Sequence, residues 1–411
     1  MEPLDIAIAG CGIAGLSAAL LLHRQGHRVT LYDRFAAPRP LGSGLMIQPT
    51  GLAVLGRLGL AAAAVRRGAR IRRLHGENGE GAAVLEADYA ALPHPGVFGL
   101  GIHRASLFAI LHEAAVAEGI TIRTGHRVRA STCAPQGRVL HFTDMADSPA
   151  CDLVIDASGV GSPLGGEGIA YLPFGALWTT LTWEPGGPFD PALLEQRYDG
   201  ARRMVGVLPT GRRDAKGPEE LALFWSLRGD DHAAWQARGL AAWQRELTGL
   251  WPDCAGLAAQ IADPAQLTFA RYAHRTHPRP VEDRMIRIGD AWHAASPQLG
   301  QGANMALLDA WALARALAGG GSPAECLARA HRARRRHVQL YQWLTWAFTP
   351  LYQSSSAWPA VLRDLLFAPA SRAAPGPRIK ASLVAGLAGS PLNALGLEMP
   401  DYDSLAAASS G

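Results

Sequence analysis

Two segments of the 411-residue chain carry residues whose types and spacing can do chemistry. Residues 285–309 read MIRIGDAWHAASPQLGQGANMALLD. A strand from Met285 to Ile288 runs into Gly289 and Asp290. After Pro297 come Gly300, Gln301, Gly302, Ala303 and Asn304, at the start of a long apolar helix. This order brings a carboxylate, then a helix N-terminus, to the end of a buried strand. Such a carboxylate can accept hydrogen bonds from sugar hydroxyls. The unpaired N–H groups of a helix start favour an anion or a polarised carbonyl. A ligand with a polyol arm and a ring that becomes anionic satisfies both, and reduced flavin on its ribityl chain is such a ligand.

The second segment is N-terminal. A short apolar strand, Leu4 to Ala9, leads into Gly10-Cys11-Gly12-Ile13-Ala14-Gly15 and a helix from Leu16 to Arg24. A second strand, Arg28 to Tyr32, ends at Asp33 with Arg34 beside it. In a GxGxxG the glycines allow a tight turn, close backbone approach to pyrophosphate and close helix–strand packing. The motif alone is weak evidence. A strand before it, a helix after it and an acid about 20 residues on make it a dinucleotide signature.

The composition suits a globular protein of two or three domains, with 48% hydrophobic and 18% charged residues. The net charge is +4, nearly all of the basic residues are arginine, and the only lysines are Lys216 and Lys380. No dense basic run with interleaved aromatics marks a nucleic-acid module. The five cysteines show no metal spacing, and their odd number argues against a disulfide framework; no metal site is expected. Cys11 reads as a small apolar residue inside the glycine loop. A strand beginning at Leu4 leaves no room for a signal peptide. The uncharged stretch Ala381 to Leu397 is short of the roughly 20 apolar residues of a spanning helix. A soluble, cytoplasmic protein is expected.

The pattern divides the chain into residues 1–171, with a sheet excursion near 70–100, then 172–284, 285–320 and 321–411. Pro38, Pro40 and Gly42 to Gly44 mark a loop, PTGLAVLGRLGL a helix, and RASLFAILHEAAVAE an amphipathic helix with Leu107, Ile110, Leu111 and Ala114 inward. Asp152 to Asp156 reads as a buried parallel strand. Residues 172–284 hold six tryptophans among Pro/Gly turns and read as an inserted antiparallel sheet with helices. Residues 302–348 read as helix broken near Gly319 to Pro323, and Ala406 to Gly411 as a disordered end. The expected architecture is α/β: a Rossmann-like dinucleotide-binding domain, an inserted antiparallel-sheet substrate domain and a C-terminal helical region.

Three motifs in this order, GxGxxG at Gly10 to Gly15, RASL at Arg104 to Leu107, and GDAWHAASPQLGQGANMALLDA at Gly289 to Ala310, resemble the FAD-dependent aromatic hydroxylases, the group A flavoprotein monooxygenases of the p-hydroxybenzoate hydroxylase type. The resemblance covers roughly residues 1–320. It implies that Gly10, Gly12, Ile13, Ala14, Gly15, Asp33, Arg34 and Arg104 hold the ADP half of FAD. It implies that Gly289 and Asp290 meet the ribityl chain, and that Pro297, Gly300, Gln301, Gly302, Ala303 and Asn304 surround the isoalloxazine. It further implies NAD(P)H as electron donor, molecular oxygen as co-substrate, and hydroxylation or epoxidation of a small aromatic or lipophilic metabolite through a flavin C4a-hydroperoxide. The cofactor carries the reactive oxygen while the protein orients it, so no protein nucleophile is expected. His293 is the one weak acid/base candidate, and a structural hydrogen bond to backbone is the preferred reading of it.

The sequence departs from that pattern at Ser158 and Gly165, where such relatives carry an aspartate and an arginine implicated in FAD and NAD(P)H handling. The alternative that follows is an FAD-dependent oxidase or dehydrogenase that does not use NAD(P)H directly, and restoring an aspartate at 158 is the corresponding test. Trp292 stands where alanine is usual, either reshaping the flavin edge or filling a gap. Trp178 to Trp183 lacks the WxWxIP motif of flavin-dependent halogenases, and residues 1–215 contain no lysine. Trp178, Trp183, Tyr198, Phe224 and Trp225 are read as core or as an aromatic pocket. Arg332 and Arg334 to Arg336, ahead of Tyr341, Trp343, Trp346 and Phe348, read as a solvated helix face in preference to a membrane-surface element.

Overall fold

The apolar runs of the two chemical segments lie in one sheet. In the computed structural model, which describes residues 2–37, 43–165, 169–214, 216–367 and 374–408, strand Asp5–Ala9 pairs in parallel with Arg28–Tyr32 on one side and Leu153–Asp156 on the other. Thr121–Arg123 and Met285–Arg287 extend the sheet in parallel, and Val281–Glu282 closes one edge antiparallel. A parallel sheet is covered on both faces, which is why its strands read as continuous apolar runs. The chain leaves Asp5–Ala9 toward one neighbour and later returns beside the other. Such a reversal opens a crevice at the carboxyl ends of the strands. Helix Ile13–His23, buried from Ala14 to Leu22, packs against helices Arg104–Ala117 and Gly302–Ala318. Its lack of a polar face follows from being covered all round.

A seven-stranded sheet forms the second layer, in the order Thr268–Ala273, Tyr171–Thr182, Glu219–Arg228, Arg203–Arg212, Leu193–Asp199, Arg73–Asn78, Ala83–Asp88. The last two strands come from the N-terminal part of the chain, and Arg73–Asn78 joins Leu193–Asp199 in parallel. Alternation splits the aromatics between two faces. Trp225 and Trp183 join Leu177, Leu223, Trp243 and Leu247 in a core behind the sheet. Trp178, Phe224 and Tyr198 turn to the dinucleotide-side core. At the junction Ser43 Oγ lies 2.9 Å and His103 Nε2 3.2 Å from Thr180 Oγ1.

Helix Gly302–Ala318 is followed by Pro323–Tyr352, whose start carries a reciprocal Ser322–Glu325 cap. On that helix Arg332, Arg335, Arg336, Trp343 and Trp346 are exposed, whereas Arg334 and Tyr341 are buried. The expected solvated face therefore fails at Arg334. Helix Arg104–Ala117 buries Ala115, with Ala114 half-buried. The expected disorder from Ala406 is also corrected, for Tyr402–Ala407 is helical. Buried Tyr402 and Leu405 anchor it, the Tyr402 ring standing edge-on to Phe98 at 4.9 Å. Residues 38–42 and 409–411, which include the expected Pro38/Pro40 loop and the last three of the expected disordered end, lie outside the described residues. Among the described residues no helix is long and apolar enough to cross a membrane.

Leu247→Ala, at a fully buried position behind the seven-stranded sheet, should cost about 2–5 kcal/mol in urea unfolding. Val116→Ala, at an exposed position, should change stability by less than about 0.5 kcal/mol. Equal effects would overturn the assignment of that core.

Candidate active site

The glycine loop closes on itself. A Cβ on Gly15 would lie 2.0 Å from the Gly10 carbonyl oxygen, so only glycine lets the helix start this close to the strand end. At Gly12 a Cβ would meet nothing within 4 Å, which leaves open space in front of the loop. Gly12 is also the N-cap of helix Ile13–His23, with no side-chain cap and no acid in the first turn. Its first N–H groups are available to an anion. Asp33 holds the loop, accepting from Cys11 N and Phe35 N, each at 2.9 Å. Burial, with Asp33 nearby, pushes the Cys11 thiol up to about 12, so Cys11 stays a neutral space-filler. Arg34 is exposed over the Phe35 ring, and Arg104 is exposed at the start of its helix, its backbone N–H donating to Ser43 O at 2.8 Å.

Gly289 joins this loop to the return segment. It has φ +58°, and a Cβ there would stand 3.2 Å from Ala14 Cβ and 3.3 Å from Ala306 Cβ. The starts of two helices thus meet at one residue without a side chain. Asp290 follows, exposed, with Oδ1 3.9 Å from where a Gly302 Cβ would be. Helix Gly302–Ala318 likewise has no side-chain cap and no acid in its first turn. Two uncapped helix starts, an open loop and a carboxylate between them fit a ligand with a pyrophosphate, a polyol and an ionisable ring. FAD has all three.

A buried charge cluster holds the turn. Asp309 Oδ2 accepts from Gly289 N at 2.9 Å and lies 2.5 Å from His293 Nε2. Its Oδ1 accepts from Arg334 Nε at 2.8 Å. Burial pushes the Asp309 carboxyl up, but His293 and Arg334 outweigh it and hold the group at about 2. His293 thus has a structural bond, to a carboxylate where backbone was expected. Trp292 fills a gap, packing with Met305, Val338 and Tyr341. Asn304 is fully buried and ties strand Gly44–Ile47 and the loop together, its Oδ1 accepting from Gln48 N and its Nδ2 donating to Met46 O and Gly300 O. Gln301 Nε2 donates to Leu299 O and Val384 O. Pro297 is exposed, while Gly300 and Ala303 are half-buried. Asp309, Arg334 and Val384 escaped the sequence reading. The available signal was an acid, Asp309, within the apolar stripe of a helix.

Two charged groups lie beside the motif departure. Ser158 Oγ and Ser162 Oγ donate to Asp156 at 2.5 and 2.6 Å, and buried Arg287 lies 3.8 Å from the same carboxylate. A Cβ on Gly165 would fall 2.4 Å from Arg275 Nη2, which donates to Gly165 O at 3.0 Å. A guanidinium therefore occupies the space beside 165, and a carboxylate stands two residues before 158. Adding an aspartate at 158 would set it against Asp156, so that substitution is a poor restoration.

Asp309→Asn should destabilise the protein by about 3–5 kcal/mol at pH 7, because it leaves Arg334 buried and uncompensated. The folded carboxyl titrates below its unfolded value, so its contribution is full above about pH 4 and is lost as pH falls toward 2. Urea unfolding at pH 7, 5 and 3 should show the gap between parent and variant narrowing only at the lowest pH. A gap independent of pH would refute the ion pair.

Sequence and fold comparisons agree with this geometry. The FAD binding domain family matches residues 3–342. The chain is 28% identical over 327 residues to 6-hydroxynicotinate 3-monooxygenase of Bordetella bronchiseptica, covering 75% of this chain and 82% of that protein. It is 28% identical over 388 residues to salicylate hydroxylase of Pseudomonas putida, covering 85% and 86%. Among solved structures, the tetrameric form of 2-methyl-3-hydroxypyridine-5-carboxylic acid oxygenase superposes with TM-score 0.77 at 21% identity, covering 96% of this chain and 98% of that one. Klebsiella pneumoniae HpxO complexed with FAD and uric acid superposes with TM-score 0.76 at 20% identity, covering 94% and 98%. The uncapped helix starts, the Gly289 junction and the family match over residues 3–342 make this chain a member of the FAD-dependent aromatic hydroxylases, an FAD-dependent monooxygenase.

Proposed function

We propose that the chain hydroxylates a small, electron-rich aromatic ring, with NADH or NADPH as donor. The overall balance is substrate-H, O2, NAD(P)H and a proton going to substrate-OH, NAD(P)+ and water. The observation that carries the proposal is the face of the seven-stranded sheet turned toward the dinucleotide domain, where Trp178 and Phe224 are direct cross-strand partners with rings 4.8 Å apart. An apolar aromatic wall suits a planar ring. The names of the related proteins, among them a hydroxynicotinate monooxygenase and salicylate hydroxylase, point the same way.

Bound FAD supplies electron transfer to oxygen and delivery of one oxygen atom. The chain's own residues bind, orient and shield. Asp290 accepts hydrogen bonds from the ribityl hydroxyls. The N-terminal N–H groups of helix Gly302–Ala318 stabilise negative charge at the ring edge, an effect on the order of a few kcal/mol in a dry site. His103 stays neutral, because burial and the charge of Arg213 lower its pKa to about 4. Its Nδ1 accepts from Ala105 N, which leaves the proton on Nε2 facing Thr180. Arg275 beside Gly165 supplies a guanidinium where the sequence lacks one, which supports a pyridine-nucleotide donor.

Two experiments test the reading. Aerobic NADH or NADPH oxidation with a panel of phenols and hydroxypyridine carboxylates under 18O2 should yield a product carrying one labelled oxygen. Hydrogen peroxide matching all oxygen consumed, with no labelled product from any substrate, would point to an oxidase. Asp290→Ala should weaken FAD binding by about 10- to 150-fold, the loss of a charge-assisted hydrogen bond. Asp5→Ala, which removes only an exposed pair with Arg28, should leave FAD binding intact. Equal affinities would show that the ribityl arm lies elsewhere.

A further inference from the structure

Residues 383–386 lie beyond the part of the chain that the FAD binding domain family matches, which ends at 342. They form the end of helix Gly376–Val384 and the turn after it. The last carbonyls of a helix have no partner within it, and here side chains from the return segment and the preceding helix take two of them and one carbonyl of the turn. Gln301 Nε2 donates to Val384 O at 2.7 Å, Tyr341 Oη donates to Leu383 O at 2.9 Å, and His337 Nε2 lies 3.1 Å from Gly386 O. Gln301 is the N-cap of helix Gly302–Ala318. His337 Nδ1 lies 3.0 Å from Arg334 Nη1, and Arg334 binds Asp309, which holds Gly289 N–H. Burial and the Arg334 charge lower the His337 pKa to about 3, consistent with a neutral ring that accepts at Nδ1 and donates at Nε2.

The same turn thus reaches both ends of the 289–302 segment, by Gln301 directly and by the chain His337–Arg334–Asp309–Gly289. Its fit is tight at Gly386. There φ is +77°, and a Cβ would stand 2.8 Å from Gln301 Oε1 and 2.6 Å from Thr50 Oγ1. Three residues on, Gly389 has the same φ of +77°, but a Cβ there would meet only Leu340 Cδ2, at 3.5 Å.

We infer that the 383–386 turn is a working part of the flavin site: it fixes Gln301 at the start of the flavin-side helix, and retention of FAD depends on its docking. This rests on the proposal that residues 300–304 border the isoalloxazine.

The pair of glycines makes the test. Apoprotein is prepared for the parent, Gly386→Ala, Gly389→Ala, Gln301→Ala and the Gly386→Ala/Gln301→Ala double variant. FAD dissociation constants are measured by flavin fluorescence quenching, and melting temperatures of the apoproteins by circular dichroism. Gly386→Ala should weaken FAD by about tenfold or more, roughly the loss of one buried hydrogen bond. Gly389→Ala, with the same backbone strain and no neighbour at Gln301, should bind FAD as the parent does. Gly386→Ala should also melt below Gly389→Ala, because only its Cβ meets neighbours closer than 3 Å. In the double variant the two losses should combine to much less than their product, since both act through Gln301. Equal FAD loss in the two glycine variants would overturn the inference, because strain alone would then explain it. Weak FAD binding in Gln301→Ala beside normal binding in Gly386→Ala would also overturn it. Unchanged FAD binding in Gln301→Ala would overturn the placement of the isoalloxazine, and the inference with it.

Discussion

The site depends on one close approach. Helices Ile13–His23 and Gly302–Ala318 begin far apart in sequence, yet both approach Gly289 near their starts. Gly289 permits this by having no side chain between Ala14 and Ala306. Its left-handed backbone then turns Asp290 outward beside Gly302. A turn of this kind must be held, and Asp309 holds it through the Gly289 N–H while Arg334 balances its charge and His293 hydrogen-bonds to it. The buried ion cluster is a cost in desolvation, offset by fixing the residue from which the rest of the site is laid out.

Much of this was legible in local pattern. Strand Leu153–Asp156 and helix Arg104–Ala117 are set by short-range periodicity and turn chemistry and lie within a residue of their expected bounds, whereas the helix after Gly12 starts at Ile13, three residues before the expected Leu16. The break at Gly319 to Pro323 is likewise visible, because Ser322 and Pro323 signal a helix start. The seven-stranded sheet was not wholly legible. Arg73–Asn78 and Ala83–Asp88 alternate weakly, and nothing local says that the hairpin they form joins the sheet through Arg73–Asn78 beside Leu193–Asp199, more than a hundred residues away. The aromatics could be named but not sorted by face. Trp178 and Trp225 differ only in the register that turns one toward the flavin domain and the other away.

Charges were hardest to place, because a charged residue in a helix pattern reads as solvated. Arg334 stands among exposed arginines, yet it is the one that faces inward to Asp309. The departure at Ser158 and Gly165 is similar. By sequence, two charged groups are missing. In space, Asp156 sits two residues earlier on the same strand, and Arg275 reaches Gly165 from a segment more than a hundred residues on. Of the two, only the guanidinium arrives through a tertiary contact that no window of sequence contains.

The central claim is that one dinucleotide runs from the Gly10–Gly15 loop past Gly289 to the start of helix Gly302–Ala318. The most direct measurement is the identity of the flavin carried by the purified protein, released by acid precipitation and separated by chromatography. The account predicts FAD, non-covalently bound and fully recovered in the supernatant. Recovery of FMN, or failure of the apoprotein to take up FAD on reconstitution, would contradict it, since the glycine loop would then hold no ADP.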